Sequence, residues 1–466
     1  MTRQAVIDRL LADFDDGDFV EELTRRVAIP TESQVPESFP HLHRYLAEEI
    51  APELDRMGYE TQIIENPVEG GGPFLIGRRI EGEDLPNVVT YGHGDVVRGL
   101  EGDWREDRDP WTIDIDGDRI YGRGTVDNKG QHTINMRALK AVIEERGHLG
   151  FNSIFIMETS EEIGSPGVHE FCTEYRDQIS GDVLIASDGP RVAPDKPSLW
   201  LGSRGAINFD LSLKLREGGN HSGNWGGLLA NPGVILANAI SAIIDRNGHV
   251  SARGIMPEAM PNSIRAALAE IKVDPGEGGP EINDWYGERN LTPTERVFGW
   301  NTFEILAMRV GNPDNPVNAV PPDAIANCQI RYTVDRDRDE LLPALRTFLA
   351  EAGYPEIEVS ESAGRSAWGA TRMDAGDPWV GWTVASIEKT LGQRPAILPN
   401  IGASLPNDAF VDILGLSTVY VPHSYAGCSQ HAPNEHGLLS IFREGLAMMG
   451  GIFWDLGEAG TPKSRD

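Results

Sequence analysis

The stretch VVTYGHGDVVRGL, residues 88–100, sets an apolar run directly before a histidine and an aspartate two residues apart. A short run of this kind that ends in Gly-His-Gly-Asp reads as a buried strand with polar residues at its carboxyl end. FNSIFIMETSEE (151–162) and GDVLIASDGP (181–190) have the same design. Between the first two lies DNKGQHTINMRALKAVIEERG (127–147), a helical pattern with Leu139, Val142 and Ile143 on its apolar face. Strands alternating with helices predict an α/β sheet with a largely parallel centre. In such sheets ligands sit beyond the carboxyl ends of the strands, which is where these acidic residues fall. VEELTRRVAI (20–29) and the run from His41 to Met57 add predicted helices before the first of these strands.

From about Ala206 the pattern changes. INFDLSLKLRE (207–217) alternates strictly, as a strand with one wet face does, and NPGVILANAISAIID (231–245) reads as a helix. NCQIRYTVD (327–335) is a second strand, and RDELLPALRTFLAEAG (338–353) a helix closed by Gly353. After about Trp368 the α/β style returns with the helix WVGWTVASIEKTLG (379–392) and the strand LSTVYVPHS (416–424). The expected division is therefore a larger domain built from 1–205 and 368–466, with a smaller α+β domain, 206–367, inserted into it. The Gly/Pro-rich stretch KVDPGEGGPEINDWYGERNLTP (272–293) reads as a surface loop.

Composition narrows the function. With 41 Lys+Arg against 72 Asp+Glu the formal charge is -31, which disfavours nucleic acid and anionic membrane surfaces as partners. No window approaches the roughly 18 unbroken apolar residues of a membrane span. The first residues alternate charged and apolar side chains without the apolar core of a signal peptide, so a cytoplasmic location is expected. Cys172, Cys328 and Cys428 are too few and too scattered for a disulfide framework or a thiolate zinc cluster. A metal, if held, falls to histidine and carboxylate.

Four features line up with His93 and Asp95: Asp127 in the glycine-rich YGRGTVDNKG, the adjacent Glu161 and Glu162 in METSEEIGSPG, Asp188 in IASDGP, and His431 in SQHAPNEH. Each alone has a plain structural reading. Asp127 would suit a helix N-cap, Asp188 a turn, and His93 a hydrogen-bonded core position. Together, several carboxylates at strand ends repel one another unless cations neutralise them. Two histidines and three carboxylates are a suitable inventory for two divalent ions sharing one carboxylate. Asp95, two residues beyond His93, is placed to accept the second ring N–H of a metal-ligating histidine. One of the paired glutamates would then be surplus as a ligand and free to act as a general base.

The set GHGDVV, GRGTVDNKG, EEIGS, SDG and HAPNE, in this order, resembles the co-catalytic dinuclear zinc peptidase and aminoacylase family, which includes carnosinase-type dipeptidases, acetylornithine deacetylase, succinyl-diaminopimelate desuccinylase and glutamate carboxypeptidase. The resemblance runs over nearly the whole chain. It implies a phosphorylase/hydrolase-like catalytic domain, with a mixed, largely parallel sheet flanked by helices, and an inserted α+β sandwich that serves as a dimerisation or lid domain. It also implies that His93, Asp127 and Asp188 hold one metal and that Asp127, Glu162 and His431 hold the other, with Glu161 as general base and Asp95 orienting His93. Zinc is the expected ion, with manganese and cobalt also compatible with these ligands. A cis peptide between Asp127 and Asn128 is a further expectation from the resemblance.

In the inserted segment, GGNHSGNWGGLLANP (218–232) carries His221 among glycines. The resemblance implies that His221 and Asn318 act in trans within a homodimer, His221 donating to the oxyanion. The resemblance also implies that Arg331 in CQIRYTV, with Gly402 and Ser404 in NIGASLPND, holds a substrate carboxylate, which an arginine can clamp with two parallel hydrogen bonds. Arg204 is equally compatible with a structural role, and Trp225 and Trp368 are candidates for an aromatic wall. Of the other histidines in the last loop, His423 could approach the substrate and His436 is expected at the surface. The expected activity is amide hydrolysis of a small carboxylate-bearing substrate, foremost a dipeptide. The alternatives are an N-acyl amino acid or aromatic amide hydrolase, and a catalytically silent metal-binding homologue, against which Glu161 and His221 argue.

Overall fold

The computed structural model describes residues 2–269, 271–274, 280–362, 368–458 and 460–462. Residues 275–279 of the expected surface loop and 363–367 at the end of the expected insertion lie outside the described residues.

Eight strands form the central sheet, in the order Glu60–Ile64, Phe74–Arg79, Asn152–Glu158, Asn87–His93, Val183–Ala186, Ser417–Tyr420, Ser198–Trp200, Ala396–Leu398. The middle is parallel: Asn87–His93 pairs in parallel with Asn152–Glu158 and with Val183–Ala186, and Ser417–Tyr420 extends it. The first two strands join antiparallel, which makes the sheet mixed. Both faces are covered, and alternate residues of one strand feed opposite cores. Ile154 and Ile156 point into one apolar cluster, while Phe155 and Met157 point into the other. This is why the central strands read as continuous apolar runs rather than as alternation.

The helices Lys129–Arg146, Leu439–Leu456, Arg3–Asp15 and Pro378–Leu391 share the second cluster with one face of the sheet. Their limits follow from local chemistry. Pro378–Leu391 begins after Asp377, whose side chain accepts the N–H of Trp379, and stops at Gly392, where φ of 68° suits a residue without a Cβ. The two strands flanking Asn87–His93 run parallel to it, and His93 lies opposite Glu158 in register. All three therefore end at the same edge, and the chain segments carrying Asp95, Glu161, Glu162 and Asp188 leave the sheet there.

A second sheet, antiparallel, has the order Thr302–Val310, Asp323–Tyr332, Gly205–Lys214, Glu358–Glu361. Asp323–Tyr332 alternates cleanly: Ala324, Ala326, Cys328, Ile330 and Tyr332 are buried, whereas Asn327, Gln329 and Arg331 are half-exposed. The buried face shares its apolar cluster with Leu236 and Ala239 of the helix Pro232–Ile243 and with Leu341 and Leu345 of the helix Arg338–Glu351. A one-residue slip would exchange the two faces, so the register that buries Ile330 also fixes the side to which Arg331 points.

Candidate metal centre and active site

His93 ends its strand fully buried, with Nε2 3.0 Å from Asp127 Oδ1 and 3.8 Å from Asp188 Oδ2. Asp127 is shared, because its other oxygen, Oδ2, lies 2.9 Å from His431 Nε2, which in turn is 3.0 Å from Glu162 Oε2. Two groups result, His93–Asp127–Asp188 and Asp127–Glu162–His431, each with ligand atoms within 4.8 Å of one another. The structure thus brings together the five residues to which the resemblance gives the ligand roles, in the two groups it implies. The peptide between Asp127 and Asn128 is cis. His431 has φ of 60°, a left-handed conformation that costs a non-glycine residue roughly 1–2 kcal/mol, and its side chain is 54% exposed.

The electrostatics suit cations. Burial raises the carboxyls of Glu162 to about 7 and of Asp188 to about 6, with the charge of Asp127 adding to both. Glu161 is pushed well above the carboxylate range by burial, with Glu162 and Asp188 adding to the shift. Burial opposes charge on both histidines, but the hydrogen bonds to Asp127, together with Asp95 for His93 and Glu162 for His431, raise them. Asp127, in contact with both imidazoles, is lowered despite its burial. Glu162 Oε1 and Asp188 Oδ2 are buried without a hydrogen-bond partner. Buried, unpaired carboxylate oxygens are costly unless a cation or a proton satisfies them. The donor set, nitrogen and oxygen with no thiolate, fits divalent ions such as zinc or manganese.

Asp95 is fully buried, and its two oxygens accept the backbone N–H groups of Glu161 and Glu162, each at 3.1 Å. His93 Nδ1 is closer to the backbone carbonyl of Asp95, at 3.1 Å, than to its carboxylate, at 3.5 Å. Asp95 therefore ties the His93 strand end to the turn that carries the two glutamates.

Several supports were not singled out by sequence. Glu435 pairs with Arg123 at 2.8 Å, and its Oε1 accepts the N–H groups of Gly124, Val126 and Asp127, so it holds the glycine-rich loop from below. It lies within the HAPNE motif, which was the available signal. Gln430 donates to Asp127 Oδ2. Asn128 donates to the carbonyl of Ser187 at 2.9 Å, and its Oδ1 lies 3.2 Å from His132 Nδ1; His132 Nε2 in turn lies 2.6 Å from the Tyr45 hydroxyl. That buried chain braces the segments bearing Asp127 and Asp188 against each other.

A cavity of about 150 Å³ is lined by Asp127, Glu161, Glu162, Asp188 and His431 together with Arg331, Ser404 and Trp368. Arg331 donates to Ser404 Oγ at 3.0 Å. Gly402 does not line the cavity. Its carbonyl accepts from Arg204 Nε at 2.7 Å, and a Cβ there would meet Val297 at 2.8 Å. Arg204 also donates to the Trp300 carbonyl, so it braces the loop that presents Ser404.

His221 and Asn318 come together elsewhere: His221 is on a short strand where it opposes Ala319, and the N–H of Ser222 donates to the carbonyl of Asn318, the residue before the partner strand. Both side chains are exposed and neither lines the metal-end cavity. Trp225 is exposed on the same surface, so of the two tryptophans only Trp368 forms a wall of the cavity.

Two of the histidine expectations are corrected. His436 is buried, not at the surface, with Nε2 2.7 Å from the Tyr425 hydroxyl, because it sits in a strand paired with Arg119–Tyr121. His423 is fully buried, does not line the cavity, and is held neutral by burial and the charge of Arg191.

Residues 89–454 match the model of a family described as Peptidase family M20/M25/M40. The chain is 30% identical over 264 residues to Beta-Ala-His dipeptidase of Mus musculus, covering 53% of each protein. It is 28% identical over 225 residues to Cysteinylglycine-S-conjugate dipeptidase of Corynebacterium striatum, covering 47% of this chain and 48% of the relative. The chain thus spans about half the length of the curated relatives it matches. Its fold is that of the di-peptidase Dug1p from Saccharomyces cerevisiae, with a TM-score of 0.81 over 98% of this chain and 99% of that one, at 19% identity.

Proposed function

The chain belongs to peptidase family M20/M25/M40, and from that premise we propose that it is a metal-dependent hydrolase that cleaves small dipeptides. The observation that carries the reading is the pair of ligand groups sharing Asp127, with Glu161 and Arg331 lining the same cavity. The names of the matched relatives, both dipeptidases, favour a peptide bond over an N-acyl or aromatic amide.

His93, Asp127 and Asp188 would hold one divalent ion, and Asp127, Glu162 and His431 a second; zinc suits them best. Such an ion pair supplies an acidified water and a Lewis acid for the scissile carbonyl. Glu161 takes the proton from the attacking water and returns it to the leaving amine. Arg331 and Ser404 bind the substrate's terminal carboxylate, with Gly402 and Arg204 holding that loop in place. This sets the scissile carbonyl toward the metal end.

His221 is proposed to donate to the developing oxyanion in the active site of a second copy, with Asn318 beside it. Support comes from the exposed positions of both and from the surface near them. Ile305, Leu306 and Met308 are exposed on the edge strand Thr302–Val310, and Leu228, Val234 and Val317 are exposed on neighbouring segments of the same inserted region. An apolar sheet edge of this kind is a surface for pairing with another chain. A homodimer is the proposed unit.

The division into 1–205 with 368–466 and an inserted 206–367 is proposed on the membership of the two sheets. No described helix is long and apolar enough to cross a membrane. The three cysteines are buried and unpaired, as suits a reducing cytoplasm. Nucleic acid and membrane surfaces are not proposed as partners, given the charge of -31. The test is hydrolysis of a dipeptide panel by metal-stripped and metal-reloaded protein. Turnover that appears only on reloading supports the reading, and turnover confined to N-acyl amino acids removes it.

A further inference from the structure

The cavity at the metals measures about 150 Å³, below the roughly 300–1,000 Å³ usual for small-molecule sites. A second cavity of about 340 Å³ lies in the inserted region, and Arg331 lines both. Val250, Met256, Trp300 and Phe303 line it and are buried, Ile244 and Tyr286 line it and are more exposed, and Glu288, Arg296 and Glu304 add charge to the lining.

Arg331 is the lining residue common to the two cavities. Arg204 and Arg331 both line the second cavity, and neither forms an ion pair with a carboxylate among the described residues. Burial and then the neighbouring charge of Arg331 push Arg204 down to about 9, opposed by Glu304. The indole N–H of Trp300, itself buried, has no acceptor. Apolar walls that begin at Arg331, with Glu304 and Glu288 also on the lining, suit an apolar group attached to a carboxylate that stays on Arg331.

We propose that this second cavity receives the side chain of the residue that bears the substrate's free carboxylate, and that it selects dipeptides with a large apolar or aromatic C-terminal residue. The inference rests on the dipeptidase reading. With the carboxylate on Arg331, the scissile carbonyl lies toward Asp127 and Glu161, and the side chain is the part of the substrate free to pass Arg331 into the apolar space. Glycine at that position leaves the space unused.

The experiment compares alanyl-glycine, alanyl-leucine and alanyl-phenylalanine with the zinc-reloaded protein and two variants, Ile244→Trp to narrow the cavity and Tyr286→Ala to widen it. The expected kcat/KM for alanyl-phenylalanine is at least about tenfold that for alanyl-glycine, as apolar burial of this size provides. Ile244→Trp should bring the ratio close to one while changing alanyl-glycine less than about twofold, and Tyr286→Ala should keep the preference and extend it to alanyl-tryptophan. Equal rates in the unmodified protein overturn the inference. So does an Ile244→Trp variant that slows all three alike and dissociates the dimer on size-exclusion chromatography, which would give the cavity to a second copy. If no dipeptide is cut, the functional reading fails by itself, and calorimetry with free L-phenylalanine and glycine judges the cavity. Binding of phenylalanine alone, weakened by Ile244→Trp, sustains it; equal or absent binding of the two removes it.

Discussion

Asp95 accepts the backbone N–H of Glu161 at 3.1 Å with one carboxylate oxygen, and its other oxygen accepts the next N–H along the chain. The proposed base is therefore positioned by a residue 66 positions away in sequence that also adjoins His93. Asp95→Ala should leave the chain folded, weaken metal binding by about 10–100-fold and lower kcat, as loss of an outer partner of a ligand does. Metal titration of the stripped variant with a chromophoric competitor checks it; unchanged affinity and turnover would remove the role.

Glu161 lines the cavity but belongs to neither ligand group. Glu161→Gln should therefore keep its metal content while kcat falls by about two to four orders of magnitude, the range of general acid–base catalysis. Elemental analysis beside steady-state kinetics separates this from a ligand's loss, for which Glu162→Gln is the comparison and should lose metal.

Without ions, His93 and His431 carry protons that balance the carboxylates around them, since both are raised above the ordinary imidazole range. A ligating imidazole must be neutral, so metal uptake should release these protons and strengthen as pH rises. Titration calorimetry in buffers of different ionisation enthalpy reads the number released. Binding that is independent of pH between about 6 and 8 would contradict the ligand assignment.

The Tyr45–His132 contact tests the support behind the site. The Asn128 amide is oriented by its donation to Ser187, so it accepts from His132 Nδ1–H, and His132 Nε2 accepts from Tyr45. Burial, then the charge of Arg26, keeps His132 neutral, which agrees with that assignment. Tyr45→Phe leaves Nε2 buried and unsatisfied and should cost about 1–3 kcal/mol of unfolding free energy in urea denaturation.

Acid stability should include a contribution from Glu53. Burial works against its charge, but hydrogen bonds from Arg56 and Lys140 bring it down from 4.5 to about 2. A depressed carboxyl stabilises the fold above its unfolded value and loses that contribution as pH falls toward the folded one. The difference in thermal midpoint between the protein and Glu53→Gln should thus be largest above about pH 5 and vanish near pH 2.

The central strands were legible because each is a short unbroken apolar run that ends in polar residues, and the helix Lys129–Arg146 because Leu139, Val142 and Ile143 recur at helical spacing. The convergence of His93, Asp127, Glu162, Asp188 and His431 was legible because four of them lie at or just past the ends of parallel strands of the mixed sheet, or in a glycine-rich loop entering a helix. His431, more than 300 positions from Asp127, was reached only through its surrounding motif. The supports were hidden for a different reason. His132 and Tyr45 meet through a contact between distant segments that no local pattern records, and Glu435, though inside the HAPNE motif, acts on a loop more than 300 positions away. His436 was misplaced because a histidine in a polar loop looks exposed until its strand pairing is known. The second cavity depends on which face of a strand carries Arg331, and on loops at 244–250 and 286–288 meeting it, which only packing reveals.

The most direct measurement is release of free amino acid from alanyl dipeptides by protein stripped of metal and then reloaded with zinc or manganese, with metal counted per chain. The account predicts no turnover when stripped, recovery on reloading, and two ions per chain at full activity. Hydrolysis that persists unchanged in the stripped protein, or full activity with no ion bound, would contradict it.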